Sequence, residues 1–170
     1  MTLTPSNLFI KMYNMKVLMD ADCLIKLTKA GLKRLIVEKY TVFIPSVVKR
    51  EVVDIGREKG YPDASIVNEN IISGKIKVVG SAQIDTKGDQ ALIELFDPQQ
   101  YFAVATDDVK LTRFLRLKGI PFILPAVLLF KLLQDREIDR KTAIHALDKL
   151  RNFISEDEYS TVRILMEGKA

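Results

Sequence analysis

The 170-residue chain is 48% hydrophobic and 28% charged, which excludes an intrinsically disordered protein and suits a single domain with a proper core. No apolar run approaches the roughly 20 residues that span a bilayer, and the first seven residues lack the charged start and apolar centre of a signal peptide. One cysteine excludes an internal disulfide, so a reducing cytoplasm is the expected compartment, and the net charge of +4 is only a mild basic field.

Residues 1–14 read as an appendage, because the first strand pattern starts just after Met15. Val17-Leu18-Met19 is a short continuous apolar run of the kind found in buried parallel strands, and it ends on two carboxylates, Asp20 and Asp22. Apolar residues at helical spacing follow, with Gly31 breaking them into two short helices; Lys26, Lys29 and Lys33 read as a solvated face. Cys23 falls among apolar helix residues and reads as core.

Thr41-Val42-Phe43-Ile44 is a second strand, and Ser46 is placed to cap a helix over 46–57. Glu51 lies one turn beyond Val47 and Val48, beside the apolar stripe, where a carboxylate either pairs or belongs to a site. Residues 75–79 alternate and read as an edge strand lined with lysines. After a loop at 81–87, Asp89 stands in the first turn of a helix that Pro98 stops, a position that fits helix capping as well as chemistry.

Residues 101–106 form another apolar strand, and it too ends on acids, Asp107 and Asp108. The next helix carries Lys110, Arg113 and Arg116 three apart on one face, either solvated or contacting the phosphates of a polyanion, and residues 121–124 are the last strand. From 126 onward only helices are expected. The first is almost wholly apolar and needs covering, and Ser155 with Glu158 has the spacing of a capping box.

Strands alternating with helices imply a doubly wound parallel sheet, which puts Asp20 and Asp107/Asp108 at one edge of neighbouring strands. Glu51 and Asp89, from helices starting near that edge, converge on them in this reading. Crowded carboxylates raise one another's pKa, and a divalent cation resolves the conflict. An oxygen-only donor set favours Mg²⁺ or Mn²⁺, which supports metal-assisted hydrolysis of phosphodiesters.

Val17-Leu18-Met19-Asp20, Ile44-Pro45-Ser46 with Glu51, Lys87-Gly88-Asp89-Gln90-Ala91 and Val104-Ala105-Thr106-Asp107-Asp108 with Leu111 resemble the PIN-domain family in order and spacing. The resemblance implies a three-layer α/β/α core over 15–125, followed here by a helical extension at 126–170 that resembles an uncharacterised prokaryotic subgroup. It also implies a metal-dependent ribonuclease, in some branches the toxin of a toxin–antitoxin pair with an antitoxin partner, in others an RNA-maturation nuclease; homodimerisation is implied in the same way. By position, Asp20, Glu51, Asp89 and Asp108 are the catalytic acids, and Asp20, Asp89, Asp107 and Asp108 the metal-facing ones. Thr106 and Asp22 support them, although family members often carry a hydroxyl or amide residue where Asp22 stands.

Two other readings remain. Asp20-Ala21-Asp22 matches the opening of haloacid-dehalogenase-type phosphatases, whose first aspartate is a nucleophile. A binding module that kept the fold without turnover is the other. His145, the only histidine, reads as structural, so no Ser-His-Asp unit is supported. Scattered tyrosines and the absence of tryptophan give no stacking platform for single-stranded RNA.

Overall fold

The computed structural model describes residues 15–80 and 87–168; the expected appendage and most of the loop at 81–87 lie outside them. The chain begins with β1 (Lys16–Met19), α1 (Ala21–Lys29), α2 (Lys33–Lys39) and β2 (Thr41–Pro45). A continuous helical run follows as α3 (Ser46–Lys49), a π-helical stretch (Arg50–Ile55) and α4 (Gly56–Glu58). Then come α5 (Pro62–Ile72), β3 (Ile76–Val79), α6 (Gly88–Leu95), β4 (Ala103–Ala105), α7 (Val109–Leu117) and β5 (Phe122–Ile123). The chain ends in α8 (Pro125–Gln134), α9 (Arg140–Leu150), a 3₁₀ turn (Arg151–Phe153) and α10 (Glu156–Glu167).

The five strands form one parallel sheet in the order β3-β2-β1-β4-β5. β1 is central, and Val17, Leu18 and Met19 are fully buried. Because side chains alternate across a strand, Val17 and Met19 enter one apolar cluster with Val42, Ile44, Leu24 and Val52, whereas Leu18 enters another with Val104, Leu92, Leu111 and Leu115. Helices α6 and α7 therefore cover one face and the remaining helices the other, giving three layers. β3 and β5 are the edge strands, and the Lys77 ammonium of β3 lies 5.7 Å from the Phe43 ring centroid.

Leu128, Leu129 and Leu132 of α8 join the larger cluster together with Ala143, Leu147, Val162 and Met166. The Tyr40 hydroxyl donates to the Leu128 carbonyl at 2.9 Å, fastening α8 to the chain just before β2. Two local expectations are corrected. Ser46 is the first residue of α3, not its cap, and its hydroxyl donates to the Gly80 carbonyl beyond β3. Lys26, Lys29 and Lys33 do not form one solvated face: Lys33 opens α2, is buried, and donates to the Ile66 carbonyl at 2.7 Å. Among the described residues no helix is long and apolar enough to cross a membrane.

Candidate active site

Strand order reverses between β1 and β4, since the chain leaves β1 toward β2 on one side and reaches β4 only later on the other. Open parallel sheets keep their ligand crevice beyond the carboxyl ends of the strands at such a point. Asp20 follows β1 directly, and its backbone N–H donates to the Ala105 carbonyl, carrying the β1–β4 pairing one residue past the strand. Its side chain caps α1: Oδ1 accepts from the Cys23 N–H at 2.7 Å. Oδ2 accepts from the Thr106 hydroxyl.

Thr106 is fully buried at the end of β4. Its Oγ1 also accepts from the Asp108 N–H at 3.1 Å, so one hydroxyl fixes both the Asp20 carboxylate and the backbone that aims Asp108. Asp108 in turn caps α7, with Oδ1 accepting from the Leu111 N–H at 2.7 Å.

The facing wall comes from the π-helical stretch and α6. Gly88 opens α6, and a Cβ there would stand 3.4 Å from both Oε2 of Glu51 and the Val48 side chain. The missing side chain lets the Glu51 carboxylate lie close against the start of α6, next to Asp89. Among the described residues Asp89 makes no capping hydrogen bond, and Lys87 holds the N-cap position. Asp20, Asp22, Glu51, Asp89 and Asp108 together line one cavity of about 310 Å³.

The electrostatics of this cavity follow from that crowding. Burial pushes Asp20 up to about 7, with Asp22 and Asp107 adding repulsion, against the downward pull of its Thr106 and Cys23 hydrogen bonds. Glu51 is raised by burial of its carboxyl and by Asp89. Asp89 is raised by burial and by Asp108. The acids thus repel one another around the cavity; Lys87, which also lines it, pulls Asp89 down and Arg50 pulls Glu51 down, but burial and the neighbouring acids outweigh both.

Asp107 is directed elsewhere. Its Oδ2 pairs with Lys26 Nζ at 2.7 Å, and the same ammonium pairs with Asp22 at 2.6 Å. Burial alone would lower the Lys26 pKa, but these two carboxylates outweigh it and raise it. Oδ1 of Asp107 is buried without a hydrogen-bond partner among the described residues. Asp107 lines a second cavity with Arg116 and Glu158, yet it is near enough to Asp20 to raise that carboxyl.

Lys110 and Arg113 are exposed on α7, and the Arg116 guanidinium lies over the Phe122 ring at 5.6 Å; none of the three lines the acidic cavity. His145 is exposed on α9. Cys23 is fully buried, and burial raises its thiol well above the usual value, which leaves it unreactive. Sequence reasoning missed the roles of Lys26, Gly88 and Glu158. Gly88 carries a legible signal, since a glycine opening a helix beside an acid implies close approach; the bonds of Lys26 to Asp107 and of Glu158 to the Ala126 N–H join residues distant in sequence and left no local trace.

A family model described as a PIN domain matches residues 16–167. The chain belongs to the PIN-domain family. No curated protein matches it. The matched span includes α8–α10, so the family's pattern extends past β5 to nearly the end of this PIN domain. The fold is nuclease-like, and its acidic cavity occupies the crevice where such a sheet presents its chemistry.

Among the described residues no three His, Cys, Asp or Glu side chains stand close enough together to form a ready cation cage. The donor chemistry nevertheless fits a hard divalent ion: the cavity offers carboxylate oxygens whose mutual repulsion a cation relieves. Mg²⁺ keeps several waters and takes only one or two carboxylates directly, so it needs no such cage.

Proposed function

We propose that this PIN domain is a metal-dependent ribonuclease that hydrolyses RNA phosphodiester bonds with Mg²⁺ or Mn²⁺. Asp20, Asp89 and Asp108 would hold the ion, directly or through water, and Glu51 faces them across the cavity. The observation that carries this reading is the shared cavity itself: four acids from separate elements line it, and Glu51 and Asp89 are each raised by another acid of the group. When bound, the ion supplies Lewis acidity toward the phosphodiester and lowers the pKa of water.

The chain's own groups do the rest. The Thr106 hydroxyl holds Asp20 in one orientation, and the cap to Leu111 does the same for Asp108. Glu51, with its pKa raised, is suited to accept a proton from an attacking water. The Lys26–Asp107 pair keeps Asp107 turned toward α1 and away from that cavity. RNA is the substrate class, and every group named comes from one chain.

The test is Mn²⁺-dependent cleavage of single-stranded RNA by the unaltered protein and by Asp20→Asn. Loss of an outer-shell partner commonly costs up to about 100-fold, so removing a ligand is expected to cost at least that. Metal-dependent RNA cleavage undiminished by Asp20→Asn contradicts the assignment. Metal binding with no cleavage by either protein favours the binding module.

A further inference from the structure

We propose that the cavity on the other side of Glu51 binds a nucleobase of single-stranded RNA, next to the phosphodiester presented to the acids; this rests on the nuclease reading and deepens it. The cavity measures about 570 Å³, within the range of roughly 300–1,000 Å³ typical of small-molecule sites. Glu51 lines both cavities, so they are neighbours with one side chain as a shared boundary. The π-helical stretch is their common wall: Val52 and Ile55 face the new cavity from the segment that carries Glu51. Such π-helical turns inside α-helical runs recur at functional sites.

The lining suits a base and its backbone. Ile25, Val52, Ile55 and Ala64 give apolar surface, and Tyr61 and Phe153 give two aromatic rings. Tyr61 is 57% exposed, unusual for a tyrosine against an apolar cavity and favourable for stacking an incoming base. Tyr61 arrives after α4 and Phe153 from the turn after α9, so the fold sets two rings far apart in sequence on one cavity. Lys29 and Lys59 also line it, and among the described residues neither forms an ion pair. Glu51 and Asp63 line it too and balance the two lysines, so the preference for a flat base rests on the two rings and the apolar wall beside the acids' cavity. The position of Phe153 also gives the C-terminal helices a task at the site, since the turn between α9 and α10 closes one side of this cavity.

The experiment uses the full chain carrying Asp20→Asn, which is expected to disable cleavage, and fluorescence anisotropy in Mg²⁺. The probes are a fluorescein-labelled oligouridylate and an abasic ribose-phosphate oligomer of equal length. Tyr61→Ala added to Asp20→Asn is expected to weaken oligouridylate binding roughly tenfold, in line with the loss of one base–aromatic stack. Tyr61→Phe is expected to restore it, and the abasic oligomer to bind weakly and equally to all three proteins. Equal affinity of the three proteins for oligouridylate, or an abasic oligomer bound as tightly as the natural one, overturns the proposal. Mn²⁺-dependent cleavage of oligouridylate by the unaltered protein is read in parallel. Cleavage with base-independent binding removes the base pocket and leaves the nuclease, whereas base-dependent binding without cleavage supports the pocket and removes the nuclease.

Discussion

Thr106 does more at this site than its size implies, because a single hydroxyl donates to Asp20 and accepts from the Asp108 backbone. Replacing it with valine keeps the shape and removes both hydrogen bonds, leaving a buried carboxylate oxygen and a backbone N–H short of partners. Thr106→Val is expected to cost about 1–3 kcal/mol of stability, as unsatisfied buried polar groups do, and to lower RNA cleavage. Thr106→Ser, which keeps the hydroxyl, is expected to recover most of the activity. Chemical denaturation and cleavage assays on both variants check this; equal behaviour of valine and serine contradicts it. The sequence placed Thr106 beside the last acid only through the family resemblance. Its bond to Asp20 joins two strands, and nothing in the local pattern states that contact.

The elements that position the acids were legible to different degrees. β1 and β4 are apolar runs ending on carboxylates, so their pattern placed Asp20 and the Asp107/Asp108 pair at one sheet edge, without choosing between the last two. Sequence left capping and chemistry as alternatives for Asp89; among the described residues it makes no capping hydrogen bond and lines the cavity with Glu51, while Asp20 and Asp108 are at once caps and cavity walls. The π-helical winding around Glu51 was not legible, because apolar spacing over six residues does not separate π from α. Gly88 tests how α6 meets this segment. Its φ is not in the left-handed region, so alanine fits the backbone, and the added methyl stands at van der Waals contact from the Glu51 carboxylate. Gly88→Ala is expected to change stability by less than about 1 kcal/mol. Cleavage is expected to fall about 10- to 100-fold, as when an outer-shell group beside a metal site is disturbed. Melting curves and turnover on one preparation decide; unchanged turnover means that the space beside Glu51 is not used.

At the scale of the whole molecule, Glu158 links the last helix to the sheet side. The capping-box spacing read from Ser155 and Glu158 is half realised: the Ser155 hydroxyl accepts from the Glu158 N–H, but the Glu158 carboxyl leaves its own helix and accepts from the Ala126 N–H at the start of α8. It is buried, and burial together with Asp107 pushes it up to about 7, against the pull of the Ala126 hydrogen bond and Lys26. Its folded pKa lies above the ordinary 4.5, so between those values the folded state holds a proton that the unfolded state has released. Stability therefore falls as pH rises from about 4.5 through about 7. Asp20, raised to about 7 from 3.8, acts in the same direction in the metal-free protein. Glu158→Gln keeps an acceptor for Ala126 and removes the titration, so it is expected to flatten the pH dependence over that window and to raise stability at pH 8. Thermal melts from about pH 5 to pH 8 with chelator present check this; an unchanged slope contradicts it.

A nuclease of this kind requires that the acids of the shared cavity hold a divalent cation together. Direct titration of Mn²⁺ by calorimetry, on the unaltered protein and on Asp20→Asn and Asp89→Asn, reads this without depending on an RNA target. Binding by the unaltered protein and its loss, or weakening by about 10-fold or more, in each variant is the expected result. Equal Mn²⁺ affinity in all three proteins would show that Asp20 and Asp89 share no ion.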